Sequence, residues 1–300
     1  MHEALLYHDE EQFLTGTVPF IRDGLAARQP VLVAVPQHNI DLLREALNGS
    51  ADQVEFLDMR TAGRNPGRII PGVLSAFTDT ARGDPVRMVG EPVWADRTPL
   101  EYPACVQHEA LINTAFEDRP AWILCPYDAS TLTPDVLVDA EATHPTVLDG
   151  PRRRPSHGYR DPFLMAEDFN LPLPPPPPTA LTHRFDLDSL AATRQSVASF
   201  ALEGALTTDQ VEDLVLAVNE LATNSVVHGG GQGTLRLWRE GPTVVCEVQD
   251  RGRLANPMVG RGNPGPMARG GFGVMLVNLL CDLVRLHTRS DGTTIRVYMG

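Results

Sequence analysis

The sequence predicts an α/β protein in two halves, an N-terminal mostly parallel sheet with helices on both faces and a C-terminal α+β sandwich. Three observations carry this expectation. Short apolar runs alternate with helix-period patterns through the first half, a proline run interrupts the chain near residue 175, and beyond it two helical patterns precede a series of strands. At 300 residues the chain is long enough for two cores.

In the first half, Ala4–Tyr7, Val31–Val35, Val54–Leu57, Val86–Val89 and Ala121–Leu124 read as buried strands. Helical patterns fall between them, near Glu10 to Ala27, Ile40 to Leu47, Arg68 to Ala81 and Tyr102 to Ala115. Strand and helix in alternation imply right-handed crossovers, and ligands in such folds sit at the carboxyl ends of the strands.

The clearest boundary is Leu171-Pro172-Leu173 followed by five consecutive prolines, Pro174 to Pro178, a run that enters neither a helix nor a sheet interior. We read 1–150 as the first domain and 181–300 as the second. Residues 151–180 read as an Arg- and Pro-rich linker whose polyproline segment is a semi-rigid spacer.

After the linker, Leu187 to Ala205 and Asp209 to Val227 read as successive helices, the second opened by Asp209 with Glu212 as a capping pair. Strands follow at Thr234 to Arg239 and Thr243 to Gln249, and a Gly- and Pro-rich loop runs from Arg251 to Gly270. A helix from Phe272 to Cys281 leads to a hairpin, Leu283 to Thr288 and Thr293 to Tyr298, turning at Ser290-Asp291-Gly292.

Composition removes several function classes. All 25 basic residues are Arg. Without lysine, the phosphate-binding Lys of a P-loop and Schiff-base chemistry are excluded. A net charge of -13 argues against direct nucleic-acid binding, which needs a basic surface, and Arg152-Arg153-Arg154 is the only basic cluster. The four cysteines, Cys105, Cys125, Cys246 and Cys281, lie far apart and read as reduced thiols. No apolar run reaches the roughly 18 residues of a membrane span, and no signal or lipidation motif opens the chain. We expect a cytoplasmic protein without membrane contact.

The second helix carries an apolar stripe, Val211, Leu214, Val215, Val218, Leu221, Ala222 and Val226, while Glu220 and Asn224 share another face four residues apart. Alone, such a pair reads as a solvated face. Two neighbours change that reading. Asp250-Arg251-Gly252 ends a strand, where a carboxylate can meet a ligand beside a close-approaching backbone. Arg269-Gly270-Gly271-Phe272-Gly273 then opens a helix, whose unpaired amides favour phosphate.

ENELATNSVVHG, DRGR, ARGGFGVMLVNLL and the closing GTTIRVYM together resemble the histidine-kinase-like (GHKL) ATPases, and over residues 183 to 300 are most similar to the anti-sigma-factor serine kinases. That resemblance implies ATP and Mg²⁺ as cofactors, with Asn224 holding Mg²⁺ and Glu220 as the catalytic base. It places Asp250 on the adenine amino group with Gly252 beside it, Arg269, Gly270, Gly271 and Gly273 along the phosphates, and Thr294 behind the base. A histidine autokinase would need a phosphoacceptor His just before the ATPase half. Leu187 to Ala205 contains none, and the H-box-like His108-Glu109 falls on a helix of the first half.

In the first half, LLYHDEEQFL, GLAARQPVLVAVP, HEALIN and LCPYD resemble the MEDS sensory domain, named from methanogens and methylotrophs, which implies a RecA-like sheet. Its first strand-to-helix turn, His8-Asp9-Glu10-Glu11, is acidic and lacks glycine and lysine, so phosphate is not expected there. Candidate sensing groups are His8, Glu91, Trp94, Cys125, Tyr127 and Asp128 near strand ends, with Cys105, His108 and Glu109 on the following helix. Any one of them alone reads as an ordinary buried side chain. As a set of His, Cys and carboxylates they fit a transition metal or a redox report.

The resulting expectation is a sensor-gated serine/threonine kinase acting on an antagonist protein and sequestering a sigma factor, with a homodimer allowed. The alternatives are a nucleotide-dependent binding module that transfers no phosphate and an atypical sensor histidine kinase.

Overall fold

Apolar runs without alternation need cover on both faces, and that requirement sets the architecture of the first half. The computed structural model describes residues 1–150, 152–262 and 272–300, and the chain divides into two units, Met1–Phe169 and Asn170–Gly300.

The first unit begins β1 (His2–Tyr7), α1 (Glu10–Ala26), β2 (Val31–Val35), α2 (Gln37–Leu47) and β3 (Glu55–Asp58). Asp9 caps α1, its side chain accepting from Gln12 N at 2.8 Å. Short helices α3 (Met59–Ala62), α4 (Pro66–Arg68) and α5 (Ala76–Thr80) follow, with a widened π-helical turn at Ile69–Ser75. The single helix expected from Arg68 to Ala81 is broken here because Pro71 supplies no backbone donor and Gly72 weakens the helix further. Then come β4 (Val86–Gly90), α6 (Tyr102–Ala115), β5 (Ala121–Asp128), α7 (Pro134–Thr143), β6 (Thr146–Asp149), β7 (Arg152–Pro155) and α8 (Pro162–Asp168). The seven strands run in the order β3-β2-β4-β5-β1-β6-β7, parallel except for the antiparallel pair β6 and β7.

β7 differs from the linker read over residues 151–180. It is an edge strand built from arginines, which carry no apolar signal; Arg153 pairs with Glu3, and Arg154 donates to Glu141 at 2.6 Å. Two members of the basic cluster are thus engaged by carboxylates of their own unit.

The second unit contains β8 (Leu181–Asp186), α9 (Leu190–Leu202), α10 (Thr208–His228), β9 (Gln232–Glu240), β10 (Thr243–Asp250), α11 (Phe272–Leu280), β11 (Leu283–Arg289) and β12 (Gly292–Met299). Its sheet is antiparallel in the order β11-β12-β10-β9-β8. The cap of α10 is Thr207 with Gln210, a reciprocal capping box, rather than Asp209 with Glu212. Helix residues Val211, Leu214, Val218 and Leu221 pack with sheet residues Leu235, Leu237, Cys246 and Val297 in one core.

The opposite sheet face carries Arg236, Glu247 and Arg296, and there the proline segment departs from a free spacer. Arg296 Nη2 donates to Pro174 O at 2.7 Å. Asn170 pairs with the backbone of Thr288, donating to its carbonyl at 2.7 Å and accepting from its amide at 3.0 Å. The physical reason is that a polyproline segment has free carbonyls and needs outside donors.

Candidate functional site

The end of α10, the end of β10 and the start of α11 enclose a cavity of about 380 Å³, lined by Asn224, Asp250, Gly252 and Gly273 with apolar walls including Leu221, Val248 and Ile295. Four sequence-derived positions therefore meet. Glu220 lies one turn before Asn224; a Cβ at Gly273 would sit 2.9 Å from Glu220 Oε2 and 3.1 Å from Asn224 Nδ2. Both side chains reach the first turn of α11. Only glycine leaves that space open.

Asp250 is fixed from two sides. Ser225 Oγ donates to one carboxylate oxygen at 2.6 Å and Gly252 N to the other at 2.7 Å. Each oxygen retains a lone pair for a donor in the cavity. Gly252 is pressed against α10, where an added Cβ would meet His228 O at 2.8 Å. Its own carbonyl accepts from Thr293 Oγ1 at 2.7 Å.

Strand alternation corrects one assignment. Thr293 and Ile295 face the cavity, whereas Thr294 faces the opposite side of the sheet, in a cleft with Arg296 and the prolines. The register of β12 against β10 gives that place to Thr293. Ser225 and Thr293 were not singled out from the sequence; their signal is positional, one on the cavity-facing turn of α10 and one beside the turn glycine. His228 also lines the cavity. Arg269, Gly270 and Gly271, and the loop from 263 onward, lie outside the described residues.

The sensing candidates of the first unit separate into groups. Glu91, just beyond β4, is buried; Tyr7 donates to it at 3.1 Å and Asn39 at 2.7 Å. Burial pushes its carboxyl up to about 8 despite those donors. Asp128 sits at the end of β5, where donors from Ser130 and Thr131 outweigh burial and hold it low. His8 is exposed, and Trp94 stacks with Arg97 at 3.8 Å. Cys105 and His108 are buried on α6. Glu109 and Cys125 come together with two residues not singled out from the sequence, His2 and His144, and Tyr127 stacks edge-on against His144 at 5.6 Å. Burial, then the neighbouring His144, lowers the His2 imidazole to about 4. At 1% exposure His108 is inaccessible as a phosphoacceptor.

Comparison with known families agrees with this division. Residues 1–145 match the MEDS model, the methanogen/methylotroph DcmR sensory domain, and residues 184–299 match the histidine kinase-like ATPase domain. The chain is a MEDS domain joined to a histidine kinase-like ATPase domain. Among solved structures it is similar to the RsbU and RsbW domains of a Mycobacterium tuberculosis protein, at 19% identity and a TM-score of 0.31. That match covers 41% of this chain and 32% of the other, so this chain spans about a third of that structure. None of the curated proteins matches the chain. No described helix is long and apolar enough to cross a membrane.

The ATPase-domain cavity fits a nucleotide. Its volume lies within the range of small-molecule sites, its walls are largely apolar with a few fixed polar groups, and its glycines leave space that any Cβ would fill.

Proposed function

We propose that the ATPase domain binds ATP with Mg²⁺ and acts as a serine/threonine kinase of the anti-sigma factor type. Its acceptor is an antagonist protein, its sequestered client a sigma factor, and its activity is gated by the MEDS domain. The observation that carries this reading is the placement of Glu220 and Asn224 side by side at Gly273, with Asn224, Gly273 and the oriented Asp250 lining one cavity. The wording ELATNSVVHG, similar to the anti-sigma-factor serine kinases, selects this type among histidine kinase-like ATPases.

Bound ATP and Mg²⁺ would supply the transferable phosphoryl group and the neutralisation of its charge. The residues of this chain position and exchange a proton. Asp250, held by Ser225 and Gly252, offers its free lone pairs to the amino group of an adenine. The Asn224 side-chain oxygen is a ligand of the kind Mg²⁺ accepts. Glu220 takes the proton of an acceptor hydroxyl at its carboxylate.

The test is calorimetry of Mg²⁺-ATP binding, joined to phosphate incorporation into a co-purified partner. Asp250→Asn preserves the pairing with Ser225 but loses charge, and should weaken binding about 10–100-fold, the loss of one charged hydrogen bond of about 1.5–3 kcal/mol. Glu220→Gln should bind ATP like the parent and incorporate phosphate about 10²–10⁴-fold more slowly. Equal incorporation by both proteins removes the base role from Glu220. Zero incorporation by both would leave a nucleotide-dependent binding module.

A further inference from the structure

The buried cluster in the MEDS domain has the composition and spacing of a metal site. We propose that His2, Glu109, Cys125 and His144 bind one divalent first-row transition ion, with zinc the best fit to two imidazoles, a thiolate and a carboxylate.

The four ligand atoms lie within 4.8 Å of one another, and all four residues are buried. His2 Nε2 is 3.2 Å from Glu109 Oε2 and 3.3 Å from Cys125 Sγ, and His144 Nε2 is 3.1 Å from the same Glu109 oxygen. Four ligands at zinc-bond lengths of about 2.0–2.3 Å define a tetrahedron with edges of about 3.3–3.8 Å. Three of the cluster's separations are therefore already near those of a filled site.

The hydrogen-bond network fixes which ring nitrogens face inward. Asn113 donates both amide protons to carbonyls, those of Ala110 at 3.1 Å and Thr143 at 2.8 Å, so its oxygen must accept from His2 Nδ1. His144 Nδ1 lies 2.8 Å from Ala140 O, which only accepts. Both rings therefore carry a proton on Nδ1, and a neutral ring then presents a bare Nε2 lone pair to Glu109. Lone pairs facing a carboxylate repel unless a proton or a metal cation lies between them. Glu109 Oε1 lacks a hydrogen-bond partner among the described residues, and Oε2 meets only the two ring nitrogens. Outer carbonyl acceptors that set the tautomer are also what metal-ligating histidines use.

The ligands come from the start of β1, the middle of β5, α6 and the end of α7, so one ion would join four segments of the domain. Binding forms a metal–sulfur bond at Cys125 and releases the thiol proton to solvent.

The test uses the full chain, stripped with chelator and loaded with Co²⁺ or Zn²⁺. The expected result is one ion per chain, a sulfur-to-cobalt charge-transfer band with tetrahedral visible bands, and displacement of Co²⁺ by Zn²⁺. Cys125→Ser should abolish the charge-transfer band, and His144→Gln should weaken zinc binding at least tenfold. X-ray absorption of the unaltered zinc-loaded chain should show one sulfur near 2.3 Å and three lighter ligands near 2.0 Å, about the usual zinc distances. That measurement decides the matter even where a variant does not fold. No retained ion would overturn the proposal and leave a cluster neutralised by protons. A sulfur-free shell, or a band unchanged in folded Cys125→Ser, would overturn it as well.

Discussion

Replacing residues 172–178 of the full chain with a Gly/Ser segment of equal length tests whether the proline run is part of the ATPase domain. Two losses can be worked from the structure. A flexible segment that leaves the sheet takes the residue-174 carbonyl away from Arg296, a charged, buried donor, at a cost of about 1.5–3 kcal/mol. Four prolines, Pro172, Pro174, Pro175 and Pro176, line the outer sheet face, and each contributes about 0.4–1 kcal/mol by restricting the unfolded chain. Together these predict a loss of about 3–7 kcal/mol, a large fraction of the roughly 5–15 kcal/mol that holds a domain. Trp238 is a local reporter, 4% exposed with the Arg296 guanidinium 4.8 Å from its ring. With 5-fluorotryptophan in place of the three tryptophans, the Trp238 resonance should shift and its urea midpoint fall. An unchanged resonance together with a midpoint within about 0.5 kcal/mol of the parent would refute the reasoning and return the segment to a spacer.

Three further outcomes are expected. Glu91→Gln should flatten a pH dependence of MEDS-domain stability. A carboxyl raised from 4.5 to about 8 favours the folded state fully below pH 4.5, and that contribution falls by about 1.4 kcal/mol per pH unit as pH rises to about 8; unchanged urea midpoints of the two proteins across pH 5–8 would contradict it. Gly273→Ala forces Glu220 and Asn224 aside and should weaken nucleotide binding at least about tenfold while leaving circular dichroism unchanged, since the displaced atoms are side-chain ends. Thr293→Val removes the donor to Gly252 O and should weaken nucleotide binding, whereas Thr294→Val, on the far face, should leave calorimetric affinity as it was.

What could be read from the sequence depended on whether the signal was local. Val31–Val35 and Tyr102–Ala115 were legible as they stand because an apolar run or stripe is its own evidence. β7 was not, because an edge strand of arginines is stabilised by Glu3 and Glu141, residues far away in the chain. Glu220, Asn224, Asp250, Gly252 and Gly273 could be picked out because they belong to motifs with a resemblance. Thr293 was missed by one residue, since the face of a strand depends on where the hairpin turns, and β11 pairs Arg289 with Gly292. The His2–His144 pair was beyond reach. Its members are separated by most of a domain and meet only when β1 lies between β5 and β6.

The second unit begins at Asn170. Asn170 holds the Thr288 backbone from both sides, and the Thr288 hydroxyl lies 2.8 Å from Thr293 Oγ1 and accepts from Leu254 N at 3.1 Å. Thr293 in turn donates to Gly252 O, at the floor of the nucleotide cavity. A residue that lines no part of the cavity is thus two contacts from Thr293, which does. Asn170→Ala should therefore change Mg²⁺-ATP affinity, and the change should vanish in a Thr293→Val background, because coupling through a contact disappears once the contact is gone. For a chain of neutral hydrogen bonds the coupling should be about 0.5–1.5 kcal/mol, or about two- to tenfold in affinity. Calorimetry on the parent, both single variants and the double variant closes the cycle. Strict additivity would mean that Asn170 is not coupled to the cavity through Thr293.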